Sequence, residues 1–113
     1  MSKQNIIADL SIEFSLITIK QYKYLISKKE YIMSKQLLRS ATSIGANIHE
    51  AISAESKKDF IHKLSISLKE ARETKYWLIL LNKSDFLKSN FDKIDTIIKI
   101  LTSIIKTTKF NLK

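Results

Sequence analysis

Asp59 and His62 stand three residues apart, the one place in the chain where a carboxylate and an imidazole could share a helical turn at metal-ligand spacing. A di-iron bundle takes a Glu from each of two helices and a Glu-x-x-His pair from each of the other two. One Asp-x-x-His falls short of that set. His49 is followed at once by Glu50, so the two side chains point apart on a helix. Glu70 and Glu73 are one turn apart and could act as a carboxylate pair, yet ion pairing at a surface or interface accounts for them more simply. No Ser, His and Asp set carries the signature of a strained nucleophile elbow. No Gly-rich loop exists to cradle a phosphate. The chain has no Cys, which removes disulfides, thiolate metal sites and Cys nucleophiles together. The expectation is a protein that is not an enzyme, with no catalytic residue, no metal and no cofactor.

The chemistry that remains is cationic. The formal net charge is +9, which points to an acidic partner such as RNA or DNA. Against this, the chain has 18 Lys, 2 Arg and 19 Ile. Lys and Ile are both favoured by AT-rich coding, and nucleic-acid sites tend to prefer the planar fork of Arg. A solvated lysine coat therefore competes with a binding surface. In an up-down bundle the first and third links share one end. That end would gather Lys20, Lys23, Lys28, Lys29, Lys35, Lys83 and Lys88, with Tyr22, Tyr24 and Tyr31 between them. Aromatics among cations suit stacking on single-stranded bases with phosphate contact. The other end would gather Lys3, Lys57, Lys58, Lys63, Lys106, Lys109 and Lys113, partly cancelled by Asp9, Glu55 and Asp59. Lys23, Lys28, Lys29, Lys57 and Lys58 are the candidate nucleic-acid contacts.

Four helices must position these groups. Residues 2–27 carry Ile6, Leu10, Phe14, Ile17 and Leu25 at helical spacing, with a second stripe of Ile12, Leu16, Ile19 and Ile26. Residues 31–54 carry Leu37, Leu38, Ala41, Ile44, Ile48, Ala51 and Ile52. Ser56-Lys57-Lys58-Asp59 has the form of a capping box and opens a third helix with Phe60, Leu64, Leu68, Ala71, Leu78 and Leu81 on its stripe. Ser89-Asn90-Phe91-Asp92 has the same form and opens a fourth, lined by Ile94, Ile97, Ile98, Leu101, Ile104 and Ile105. The links at 28–30, 55–56 and 83–89 are short, which forces consecutive helices antiparallel. The fold class expected is all-α, an antiparallel up-down-up-down four-helix bundle, with residues 1–113 forming one domain. The longest apolar run, Tyr76-Trp77-Leu78-Ile79-Leu80-Leu81, is far short of the roughly 20 residues of a membrane span. No basic head followed by an apolar block opens the chain, so no signal peptide is expected. A cytoplasmic location and no membrane partner follow as expectations.

Inside the second helix lies the only glycine, Gly45. Gly in a helix interior costs about 1 kcal/mol against Ala, and close approach of another helix is the usual reason for it. Ala41 and Gly45, four apart, define that close-packing face. Pairing helices two and three about Ser56 sets Arg39 level with Glu73, Thr42 with Glu70, Asn47 with Ser65 and Glu50 with His62. Asn47 shares a face with Ile44, Ile48 and Ala51, so partial burial is expected, with Ser43 or Ser65 as partner. Arg39, Ser43, Asn47, Glu50 and Glu73 are read as structural polar ties that fix helix register.

Helix one has two apolar stripes, and helix three adds Ile66, Trp77 and Leu80 away from its main stripe. A lone protomer would leave such surface wet, and large apolar patches mark interfaces. A homo-oligomer is expected, and repetition of a weak basic patch around it would raise avidity. The bland alternative is that broad stripes are simply deep core.

The stretch from Ser34 to Ala51, SKQLLRSATSIGANIHEA, resembles the helix-two signature of the four-helix-bundle family of 23S rRNA intervening sequence proteins. Ser56 to Phe60, Leu64 to Ile66 and Glu70 to Thr74 resemble its helix-three signature. The resemblance spans nearly the whole chain and is specific in helices two and three. Ser67 stands where the family usually has Ala, and His49 stands at a variable position. The resemblance implies an antiparallel four-helix bundle that assembles as a homopentameric ring in bacteria. It implies no catalytic residues. A related branch is the accessory protein of diversity-generating retroelements, which pairs with a reverse transcriptase and binds nucleic acid. The leading expectation is a non-enzymatic basic bundle that oligomerises and binds RNA or DNA through backbone phosphates. The alternative is an interaction scaffold for a protein partner, such as a reverse transcriptase, with the lysines serving solubility.

Overall fold

Ser2 opens the first helix, its hydroxyl oxygen accepting the Asn5 amide proton at 3.2 Å. The structure is a computed structural model that describes residues 2–112, so Lys113 lies outside the described residues. Its helices are α1 (Lys3–Ser27), α2 (Met33–Ile52), α3 (Lys57–Lys83) and α4 (Asp92–Asn111), with no strand among the described residues. Ser56 caps α3 by accepting the Asp59 amide proton at 3.0 Å. The chain after α1 turns through Lys29 at φ 64°, and after α3 through Asp85 at φ 66°. These left-handed residues let Glu30 N–H reach back to the Leu25 carbonyl and Phe86 N–H to the Leu81 carbonyl, closing both helix ends.

Two helix starts differ from the sequence reading. The apparent box at Ser89–Asp92 is not formed. Phe91 occupies the cap position of α4 with no side-chain bond, and Asn90 Oδ1 accepts the Asp92 amide proton at 3.1 Å. Ser89 is instead engaged by Asn82 of α3, which is out of view in a local pattern. Helix α2 begins at Met33 rather than 31 because the buried Glu30 carboxylate takes the amide protons of Ser34 (2.7 Å) and Ile32 (3.3 Å). That carboxylate sits at the positive end of the helix dipole, where a negative charge is stabilising.

Each helix packs on two others. α1 contacts α2 and α4, and α3 contacts α2 and α4, while the pairs α1–α3 and α2–α4 lie diagonally without contact among the described residues. The axis of the molecule is 49 Å long and its cross-section 24 by 21 Å. Cross-helix bonds give the register. Ser40 of α2 meets Thr74 of α3, and the later Glu50 meets the earlier Lys63. Lys3 of α1 meets Ser103 of α4, and the later Glu13 meets the earlier Lys93.

The core is built from Leu25, Leu37, Ile44, Ile48, Leu64, Leu78, Leu81, Ile94, Ile97 and Leu101, all essentially without solvent exposure. Each such side chain contributes about 1.5–3 kcal/mol by burial, well above the roughly 0–1 kcal/mol of a surface ion pair. The apolar layer therefore holds the fold and the ion pairs trim its register. On α1 the expected stripe is buried at Phe14 and Leu25, whereas its other members are one residue off: Ile7, Ser11 and Thr18 are buried, Ile6 is exposed, and Leu10 and Ile17 are half-buried. Ser11 and Thr18 are tolerated inside because their hydroxyls donate to the Ala8 and Phe14 carbonyls on the same helix. Gly45 is buried in α2 where Ser11 of α1 comes closest, and a Cβ there would lie 3.1 Å from the Ser11 hydroxyl oxygen. Among the described residues, no helix is long and apolar enough to cross a membrane.

Candidate functional site

The five candidate contacts fall into two groups. Lys23, Lys28 and Lys29 lie at the C-terminal end of α1 and are exposed. Lys28 Nζ stands 5.6 Å from the centre of the Tyr24 ring, within reach of a cation–π attraction. Tyr24 and Tyr31 are themselves exposed beside them. Lys57 and Lys58 form the first turn of α3 and are exposed. The whole of α2 separates the groups, so the structure does not bring all five lysines together in one protomer. None of the five has an ion-pair partner among the described residues, in contrast to Lys63, Lys75 and Lys93.

Helix electrostatics treats the two groups differently. Cations at the end of α1 face the negative pole of that helix, which by itself rationalises Lys28. Lys57 and Lys58 face the positive pole of α3, where cations are unfavourable, with only Asp59 in the same turn to offset them. Lys29 is held in the left-handed region, where a side chain costs roughly 1–2 kcal/mol against glycine. Helix stability thus favours neither Lys57, Lys58 nor Lys29. The α3 end is also concave: Gln4, Ala51, Ser56, Lys57, Phe60 and Asn111 line a depression there, drawn from all four helices and the turn before α3.

The polar ties sit elsewhere, on the outer edge of the α2–α3 seam. The Arg39 guanidinium pairs with Glu73 and, at 3.0 Å, with Glu70. The Trp77 indole N–H donates to Glu73 at 3.1 Å. That indole bond, together with the bond and charge of Arg39, holds the Glu73 carboxyl below the usual carboxylate range against the opposing effect of burial. Partial burial pulls Arg39 down, but bonds and charges of Glu70 and Glu73 outweigh it and raise its pKa above the ordinary value. Two expected partners, those of Thr42 and Glu50, are different. Thr42 donates to the Leu38 carbonyl of its own helix, leaving Glu70 to Arg39. Asn47 is half-buried and donates to the Ser43 carbonyl, one of its two expected partners. Glu50 faces Lys63 at 3.7 Å rather than His62, one position along. Ser43 donates its own hydroxyl to the Arg39 carbonyl. Asn47 and Ser43 therefore stay within α2.

Apolar side chains remain at the surface. Ile12 and Leu16, the heart of the second α1 stripe, are 48% and 58% exposed. They border a groove with Thr42, Gly45, Ala46 and His49 of α2. On the diagonal helix, Tyr76 is 53% exposed and stacks edge-on against half-buried Trp77 at 5.2 Å. The turn before α4 contributes features that the sequence reading missed. Asn82 accepts the Ser89 amide proton at 2.8 Å and donates to the Ser89 hydroxyl at 3.0 Å. The Gln21 amide oxygen is buried without a hydrogen-bond partner. Neither had a local signal, because the Asn82 bonds depend on how the turn folds back on α3 and the surroundings of Gln21 on which elements pack against α1. Among the described residues no group of three His, Cys, Asp or Glu side chains is placed to hold a metal ion.

The sequence model of a family described as 23S rRNA-intervening sequence protein matches residues 3–107. A crystal structure of a protein from Bacteroides thetaiotaomicron, described as being of unknown function and from the S23 ribosomal protein family, is 48% identical to the chain. It superposes with a TM-score of 0.89 over 93% of this chain and 99% of that one. No curated protein matches.

Proposed function

The chain belongs to the 23S rRNA-intervening sequence protein family, and we propose that it is a non-enzymatic, antiparallel up-down-up-down bundle that assembles into a ring and binds nucleic acid through backbone phosphates. The descending register of the α2–α3 and α1–α4 bonds supports the up-down order. The number of subunits, five, comes from the family resemblance. The exposed Ile12–Leu16 stripe and the exposed Tyr76 support assembly, because they lie on diagonal helices and neither is covered within the protomer. Two different faces on opposite sides favour head-to-tail contact, which closes into rings.

One observation carries the binding reading. Lys57 and Lys58 stand at the positive pole of α3, without ion-pair partners among the described residues, and Lys57 lines the depression there. Helix stability opposes that placement, whereas an arriving phosphate would be met by two ammonium groups and the helix pole together. Lys23, Lys28 and Lys29 form the second contact set, with Tyr24 and Tyr31 available for stacking.

The test is affinity for structured RNA as a function of salt, with mass in solution measured before and after nuclease treatment. Phosphate contacts release counterions, so the logarithm of affinity should fall linearly with the logarithm of salt. Changing Lys57 and Lys58 to Ala should reduce that slope by about 2. Affinity that stays level from low to moderate salt would exclude phosphate binding. A folded single subunit at micromolar concentration would exclude the ring. Capture of one protein partner, unaffected by nuclease, with no RNA affinity, would favour the scaffold reading and a relation to the retroelement accessory proteins.

A further inference from the structure

Ser11, Gly45 and Ser67 lie at one height of the bundle. A Cβ on Gly45 would meet Ser11 of α1, and the Ser67 hydroxyl of α3 donates to the carbonyl of Ile44, the residue before Gly45. In the up-down order proposed above, α1 and α3 run in the same direction from that height. Counting away from Ser11 and Ser67 at about 1.5 Å per residue sets Asp9 level with Ser65 and Glu13 with Lys69. Leu16 is then level with Arg72, and Lys20 with Tyr76. Each set is a single stripe of its helix at three-four spacing, and all of its members are exposed. α1 and α3 make no contact among the described residues, so the stripes cannot meet within one protomer.

The two stripes match in chemistry as well as in height. The lower half of the α1 stripe is acidic and the lower half of the α3 stripe carries Lys69 and Arg72. Asp9, Lys20, Lys69 and Arg72 have no ion-pair partner among the described residues. Glu13 Oε1 is engaged by Lys93, which leaves Oε2 for a second cation. In the upper half, Leu16 and Tyr76 are more than half exposed, and Lys20 stands at the height of the Tyr76 ring, where a cation is attracted to an aromatic face. Both surfaces also lean toward α2. Ile12 borders a groove with Thr42 and His49 of α2, and Trp77, beside Tyr76, bonds to Glu73, the partner of Arg39 of α2. Successive copies joined through such faces turn toward one side, which closes a ring rather than extending a fibre.

We propose that the outer face of α3 docks on the outer face of α1 in a second copy of this chain, level for level. Lys69 and Arg72 lie over Glu13 and Asp9, and Tyr76 packs between Leu16 and Lys20. The assignment rests on the ring reading above and supplies its interface.

The experiment is mass in solution after nuclease treatment, for the wild type, Glu13→Lys, Lys69→Glu and the variant carrying both changes. Each single change sets like charges face to face and should raise the concentration needed for assembly by about tenfold or more. The double change restores opposite charges and should assemble as the wild type does. An assembled wild type whose mass neither single change alters would overturn this interface and leave the ring standing. A wild type that stays a single subunit at micromolar concentration would overturn both. Single changes that dissociate the assembly, with no recovery in the double, would overturn the pairing of Glu13 with Lys69.

A second measurement reads the register without charge reversal. The chain has no Cys, so Glu13→Cys and Lys69→Cys placed together introduce its only thiols. They sit on helices that do not touch, so a disulfide between the two positions can form only between copies. Oxidation should give a covalent ladder on a non-reducing gel. Glu13→Cys with Tyr76→Cys, offset by about 10 Å in height, should give none, since a disulfide needs its Cα atoms within about 7 Å. Equal cross-linking of the two pairs, or no cross-linking of either in an assembled protein, would overturn the level-for-level docking.

Discussion

The Ser67 hydroxyl of α3 donates to the Ile44 carbonyl of α2 at 2.8 Å, a buried bond across the most extensive helix seam. The Ile44 carbonyl lies inside α2, so its helical acceptor role persists without Ser67. Ser67→Ala should therefore cost no more than about 1 kcal/mol, the usual net worth of a neutral bond. Ser67→Leu should cost several times that, because overpacking adds strain where two backbones come close. Urea denaturation of the two variants checks the ordering.

Gly45 and Ser11 should be coupled. The helix alone would gain about 1 kcal/mol from Gly45→Ala. The added Cβ would press on the Ser11 hydroxyl oxygen at 3.1 Å, and that hydroxyl is anchored to the Ala8 carbonyl at 2.7 Å. Gly45→Ala should be neutral or destabilising alone and stabilising by roughly 0.5–1 kcal/mol in a Ser11→Ala background. A double-mutant cycle with additive effects would contradict the contact.

Removing the Glu30 carboxylate should loosen the start of α2. Glu30→Ala takes away two acceptors for the first-turn amides. The expected cost is about 1–2 kcal/mol, the range for a lost cap with a partly buried charge. Amide exchange at Ser34 should accelerate more than at Ile44, deep in the same helix, and uniform acceleration would instead signal global unfolding.

The Arg39–Glu73 pair should matter less, and in a pH-dependent way. Glu73 titrates below its ordinary value, held first by the Trp77 indole bond and then by Arg39. Its contribution is therefore complete above the ordinary carboxylate range and is lost as pH falls through the depressed value. The pair is partly exposed, with Arg39 and Glu73 side chains 47% and 34% accessible, so screening limits it to under about 1 kcal/mol. The melting-temperature gap between wild type and Glu73→Gln should be present at pH 7 and close in strong acid. A gap that widens with acid would reverse the assignment.

Helix number and the starts of α1 and α3 were legible because local chemistry decides them. Ser56 caps α3 as its position suggested, and α1 starts at Lys3, one residue after the expected bound. The start of α4 misled for the opposite reason: Ser89 looks like a cap but is taken by Asn82, seven residues away and across a turn. The core face of α1 was legible at Phe14 and Leu25 and one position off at Ile6, Leu10 and Ile17, because hydropathy discounts Ser11 and Thr18, whose hydroxyls bond back to their own helix and so travel inward as small apolar groups. Fixed-sum pairing placed Arg39 near Glu73 but missed Lys63 for Glu50, since side chains lean along the helix and reach a neighbouring turn. Lys57 and Lys58 could be singled out from sequence. Gln21 could not, because an orphaned acceptor is defined by what fails to stand opposite it.

The contact between α1 and α4 also brings the two described chain ends to the same pole, where Gln4 and Asn111 face one depression. A short peptide joining them, with a break opened at residues 53–56, would leave every helix beside the same two neighbours. The bundle is thus a closed cycle in space that the ribosome happens to write from one point, and a circularly permuted gene starting at α3 should encode the same object.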